Sequence, residues 1–261
     1  MQNNSHTVNI ALTRSAVALL LTFCAIQPTY AQSSGFVLNL FAGVADMTTG
    51  LGAIVTPLGG GFGNEVDTLH GSTDSAEFIP GIGVGYDYVL PINPATGRSY
   101  FLHDVSLAVD VYNLNANREG QVYLFGVPAF GNFYNYNTTV SSWQVMLDSE
   151  WDFHPLYYGI MPFFQGGIGD AINTLSYQES PQAGVSPLGT LHLPNSTRSN
   201  FAYDLGAGVK VPVATHAQLS VRYLYSNLGS AETSSSALSQ PFSESLHASS
   251  VLFGFTYLFG S

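Results

Sequence analysis

Cysteine is almost absent from this chain: the single copy, Cys24, lies in an apolar stretch near the start. Charge is scarce as well, at 9% of 261 residues against the roughly 25% usual in soluble domains. Nor is there an apolar run of the roughly 20 residues that a membrane-crossing helix needs. Each absence removes an option. Without a second thiol there is no disulfide frame and no Cys-based metal centre. With Lys+Arg 6 against Asp+Glu 17, the acidic excess argues against nucleic acid as a partner and against a polybasic membrane anchor. Without a long apolar run, a membrane can be crossed only by a closed sheet, whose backbone groups all pair within it. What the chain does have is aromatic side chains, 13% of the total, and 27 glycines.

The N-terminus reads as an export leader. Arg14 precedes an apolar stretch of about a dozen residues, 15–26, too short to span a membrane as a helix. Gln27-Pro28 and Thr29-Tyr30-Ala31 follow, which places cleavage after Ala31. Cutting before Cys24 instead, as in a lipoprotein, would put bulky Phe23 where a small residue is wanted. Residues 1–31 are therefore expected to leave and 32–261 to form one domain with no second unit after it. Loss of Arg14 leaves 5 basic against 17 acidic residues, a balance of −12.

The rest of the chain is organised by a period of two. Near the C-terminus, His247, Ser249, Val251, Phe253, Phe255, Tyr257 and Phe259 share one face, while Ser250, Gly254 and Thr256 fall on the other, with Leu252 and Leu258 as exceptions. A strand aromatic on one side and small or polar on the other suits lipid outside and a filled lumen inside. The same pattern recurs over residues 36–45, 78–90, 104–113, 143–153, 160–171, 201–213 and 218–225. Trp143 and Trp151 are eight steps apart on one face, roughly 20 Å along the normal at a tilt near 40°, the spacing of two interfacial anchors. Between these segments, long connections (48–75, 115–140, 178–200, 227–245) alternate with short ones (91–100, 154–155, 215–216). The expected fold is all-β: an eight-stranded antiparallel transmembrane β-barrel with long extracellular loops and short periplasmic turns.

Ile79-Pro80-Gly81-Ile82-Gly83-Val84-Gly85-Tyr86-Asp87-Tyr88 resembles the Gly-x-Gly-x-Gly-Tyr-Asp strand of small OmpA-like outer-membrane barrels, a group that includes many bacterial surface antigens. Leu205-Gly206-Ala207-Gly208-Val209, followed by Leu219-Ser220-Val221-Arg222-Tyr223, is similar to the hairpin near their C-terminus, and residues 251–259 to their closing strand. The resemblance implies a Gram-negative outer membrane, contact with its lipid and lipopolysaccharide, insertion by the barrel assembly machinery, and no cofactor. Two departures stand out. Gly260-Ser261 follow Phe259, where the family ends on the aromatic residue that this machinery reads, and no peptidoglycan-binding domain like that of OmpA itself is expected after the barrel.

Function is less legible. Gly81, Gly83 and Gly85 lack the G-x-G-x-x-G form and no helix pattern follows, so they read as strand glycines that leave room in a narrow lumen. Asp110, Asp148, Glu150, Lys210 and Arg222 fall on inward faces, and because an unpaired interior charge is costly, Arg222 is expected to contact Asp110 or Asp148, and Lys210 to contact Glu150. Such a network is either a polar plug or the lining of a narrow cation-preferring path. His247 and Ser249 resemble the His-x-Ser pair of lipid A deacylases, but Ser250 stands where those enzymes carry Asn, and no acid follows Ser249; Glu244 precedes the strand. No His/Asp/Glu spacing suits zinc. In the second long loop, Tyr123, Phe125, Phe130, Phe133, Tyr134 and Tyr136 would form an apolar patch for a protein or glycan partner if exposed, or would extend the strands and pack if not. The expected role is structural or surface-exposed: membrane integrity, and adhesion or host contact through the loops.

Overall fold

The computed structural model describes residues 34–49, 53–57, 64–70, 77–91, 101–123, 132–156, 159–184, 190–235 and 241–259. The expected leader, most of the turn at 91–100 and the tip of the second loop, with Phe125 and Phe130, lie outside the described residues. The described residues form ten strands: β1 (Gly35–Thr49), β2 (Ala53–Pro57), β3 (Asn64–His70), β4 (Glu77–Val89), β5 (Leu102–Tyr123), β6 (Asn132–Phe153), β7 (Met161–Pro181), β8 (His192–Ala214), β9 (Ala217–Glu232) and β10 (Ser243–Phe259). Eight of them close into an antiparallel ring. β1 lies between β10 and β4, each later strand pairs with its sequence neighbour, and β5 closes the circle against β6. The remaining two, β2 and β3, form a hairpin whose second strand adds to the far end of β5, where Thr68, Leu69 and His70 pair with Tyr123, Val122 and Gln121.

The alternation selects this fold because a one-residue slip would exchange lipid face and lumen face along a whole strand. Outward residues such as Phe36, Leu40, Val84, Tyr86, Leu107, Val109, Leu205, Phe253 and Phe255 are exposed, and their sequence neighbours are covered. Trp143 and Trp151 both stand on the outer face of β6, 53% and 36% exposed, the second stacked on Phe164 of β7 at 5.6 Å. Val211, expected to face lipid, is buried next to the slip in pairing between Pro212 and Ala214.

The larger correction concerns the loops. Much of each connection expected to be long is strand. β5 runs on to Tyr123 and β6 begins at Asn132, β7 continues to Pro181, β8 begins at His192, and β9 and β10 extend to Glu232 and back from Ser243. The first loop holds the β2–β3 hairpin. Along these extensions the two faces exchange character. On β5 the odd positions Val105, Leu107, Val109 and Val111 face lipid, but beyond Tyr112 the apolar residues are the inward Leu114, Ala116 and Val122, and the outward ones are Asn113, Asn115, Asn117, Glu119 and Gln121. Water replaces lipid outside the wall there, so polar side chains turn out and apolar ones turn in, as in a water-soluble sheet.

Candidate functional site

Two regions concentrate polar chemistry: the lumen within the membrane band and the outer face of the wall above it. In the lumen, the carboxylates need space that glycine supplies. Gly83 stands opposite Asp110, and Gly167 stands between Asp148 on β6 and Asp204 on β8. A Cβ at Gly83 would overlap the Asp110 carboxylate, and one at Gly167 would overlap that of Asp148. These close approaches are what a glycine-lined strand allows.

Lys210 donates to Glu150 Oε1 at 2.7 Å and also pairs with Asp152, which lies in register with Asp104. Arg222 differs from expectation. Its guanidinium donates to Gln165 Oε1 and lies 4.0 Å from Glu150, while Asp110 and Asp148 line the same cavity. The guanidinium also lies over the Phe41 ring, 4.1 Å from its centroid, a cation–π contact that helps to hold it where it meets Gln165. Asp110 instead accepts from the Tyr112 hydroxyl at 3.3 Å. Sequence reasoning did not single out Gln165, Asp152, Asp204 or Phe41, although each occupies an inward position of the same alternation.

Asp110, Asp148, Glu150, Gln165, Lys210 and Arg222, with the backbone and smaller side chains between them, enclose a polar cavity of about 30 Å³ in the half of the barrel nearest the short turns. That is room for one or two waters, not a pore. The next layer along the axis is apolar: Phe41, Tyr112, Met146, Leu224 and Leu252 are all buried, and Phe41 stacks on Tyr112 at 5.6 Å. Above it follow Leu114, Leu175, Leu228 and Leu246, each 0% exposed, then Tyr136, Tyr177 and Phe242 packed ring to ring. The Tyr177 hydroxyl donates to Glu179 at 2.8 Å, and burial together with that carboxylate holds the phenol well above its ordinary pKa.

The aromatic residues of the second loop divide accordingly. Tyr134 and Tyr136, 9% and 2% exposed, are part of this core and not an exposed patch, because the alternation of β6 continues above the membrane and turns them inward. Tyr123 is half-buried, its ring 4.3 Å from that of His70 on β3. Phe133 lies within β6.

The His-x-Ser pair is also resolved. Ser249 accepts from the Tyr223 hydroxyl at 3.0 Å, and His247 Nδ1 is 3.0 Å from the Tyr225 hydroxyl. Glu244 is buried on the inner side and paired with Arg118 at 3.5 Å, out of reach as an orienting acid. Asp46, in register with Ser249 on β1, is the nearest outward acid by pairing. Each member is thus held by a tyrosine. Among the described residues no group of His, Cys, Asp or Glu could hold a metal.

On the outer surface, beyond the last apolar residue of each row, stand Asn113 on β5, Ser141 on β6, Thr174 on β7, Ser199 on β8 and Asn227 on β9. Cross-strand bonds tie this face together: Thr139 Oγ1 donates to Asn117 Oδ1 at 2.9 Å, Asn137 Nδ2 to Glu119 Oε1 at 3.1 Å, and Thr174 and Thr197 share a hydrogen at 2.9 Å.

This architecture places the chain among known proteins. It is similar to neisserial surface protein A, with 15% identity and a TM-score of 0.45, covering 87% of this chain and 100% of that one. It is similar to OprG of Pseudomonas aeruginosa (12%, TM-score 0.39, 87% and 98% covered) and to the attachment invasion locus protein Ail of Yersinia pestis in complex with the heparin analogue sucrose octasulfate (11%, TM-score 0.38, 86% and 99% covered). No curated protein matches the sequence. The model of the outer membrane protein beta-barrel domain matches residues 16–259, and the chain belongs to that family, whose members reside in the outer membrane of Gram-negative bacteria.

Proposed function

We propose that this protein is a non-conducting outer-membrane scaffold that carries a folded extracellular rim for contact at the cell surface. One observation carries the reading: the lumen above the polar cavity is packed with buried side chains, apolar ones from Phe41, Tyr112 and Met146 up to Tyr177 and Phe242, with Gln144, Asn173 and the Arg118–Glu244 pair buried among them. An ion there would have to shed its water in a space already filled by side chains, where the buried ion pair of Arg118 with Glu244 is engaged with itself. The inward charges then serve as a plug that is bonded to itself, Lys210 to Glu150 and Arg222 to Gln165. The rim is the part left for recognition, since it stands on a rigid wall and projects from the membrane. Adhesion or host contact would be carried by the hairpin end of β5–β6 with the β2–β3 strands attached to it.

Planar-bilayer recording tests the first half: no unitary steps are expected from the purified protein. Steps with cation preference would replace this reading with a narrow channel. Deleting residues 124–131, which join β5 and β6, tests the second half; loss of binding to host cells with an unchanged heat-dependent gel shift is expected, and undiminished binding would remove the hairpin from that role.

A further inference from the structure

We propose that the outer face of β5, β6 and β7 above the membrane band is a docking surface for the sugar chains of the glycolipids packed around the barrel. The proposal needs the outer-membrane location but not the closed lumen. Three rows cross this face in register: Asn115 with Ser141 and Thr174, Asn117 with Thr139 and Ser176, and Glu119 with Asn137 and Gln178. From Asn113 to Gln121 the face runs about 26 Å along the strand, at about 3.3 Å per residue. It is an amide and hydroxyl surface, made of groups that both donate and accept, which is what a polyhydroxylated ligand requires.

Charge narrows the ligand class. The cations nearby are engaged elsewhere: Arg118 turns inward to Glu244, and Arg198 pairs with Glu232. Glu119, the carboxylate of the three rows, already accepts from Asn137. With neither Lys nor Arg among the described residues of this face, phosphate or sulfate finds no partner there, and neutral sugar does. The cross-strand bonds hold the amides in fixed orientation, so little side-chain freedom remains to be lost on binding.

Continuity with the lipid-facing band fixes the source. Val145 and Leu147 face lipid on β6, exposed Trp143 is the next outward residue, and Ser141, Thr139 and Asn137 follow in the same row of the same strand. A glycolipid whose acyl chains lie along Val145 and Leu147 has its head group level with Trp143 and its first sugars against this face. On β1, by contrast, the described strand ends at Thr49, soon after its outward row turns polar at Asp46.

The test uses the full protein in vesicles containing either lipopolysaccharide with its sugar chain or the same lipid A without sugars. The thermal unfolding midpoint is expected to be higher with sugars by about 4 °C or more. In the Asn117→Ala/Asn137→Ala/Thr139→Ala variant the two midpoints should coincide. Hydrogen exchange on the unsubstituted protein, which does not depend on that variant folding, should show slower exchange with sugars at residues 113–121 and 135–141. Equal midpoints on both lipids, a difference that survives the triple substitution, or protection confined to other strands would overturn the proposal. So would an equal rise produced by the cleaved sugar chain free in solution at the same concentration, which would make the ligand a soluble glycan instead.

Discussion

The part of the barrel inside the membrane and the part above it are built on the same strands with their faces exchanged. Within the band, Val109 and Val111 meet lipid while Asp110 and Asp148 fill the lumen; above it, Asn115 and Asn117 meet water while Leu114, Leu175 and Leu228 fill the interior. The period of two and the register continue unbroken on β5 and β6 from Asp104 to Val122. What changes is the solvent outside. Backbone pairing therefore sets the wall, and the surroundings at each height set which face is apolar.

Four tests by substitution would break or sharpen this contrast, from the largest expected effect to the smallest. Lys210→Met leaves Glu150 and Asp152 without their ammonium partner inside the lumen, and should cost about 3–5 kcal/mol in denaturant unfolding from vesicles. Adding Glu150→Gln and Asp152→Asn should return part of that loss. Leu175→Ala, in the apolar interior above the band, should cost about 2–5 kcal/mol by the same measurement. A loss under about 1 kcal/mol would mean that this layer is loosely packed. Next, Val109→Arg on the lipid face should cost about 2–4 kcal/mol, whereas Asn117→Arg, on the same face of the same strand above the band, should stay within about 0.5 kcal/mol. Equal costs would erase the boundary between the two regions. Last, Arg198→Ala removes an exposed pair with Glu232 and should change stability by no more than about 1 kcal/mol, less at high salt.

The exchange of faces also explains what the sequence did and did not disclose. The band was legible because one rule, apolar out and small or polar in, holds over residues 104–112 and 143–152. Past Asn113 the apolar residues move from odd to even positions, and a reading tuned to the lipid rule meets an apparent break where the strand continues. Tyr134 and Tyr136 looked like candidates for a sticky loop for that reason, and they are core. In the lumen, the Lys210–Glu150 contact was anticipated because both fall on inward faces and an unpaired interior charge is costly. The partner of Arg222 was not, since charge pairing points to a carboxylate and carries no information about a neutral amide such as Gln165 or a ring such as Phe41. The outward Asp46 beside Ser249 was equally out of reach, because β1 and β10 lie at opposite ends of the chain and only closure brings them together.

The exchange of faces is tested most directly by cysteine scanning along β5, the lone native cysteine being in the expected leader. Single cysteines from Val105 to Val122 would each carry a fluorophore, quenched in turn by brominated lipid and by a water-soluble quencher. Odd positions up to Val111 should respond to the lipid quencher alone, Asn113 to Gln121 to the water-soluble one, and Leu114 and Val122 to neither. Lipid quenching that continued through Asn117 and Glu119, or aqueous quenching at Leu114, would contradict the account.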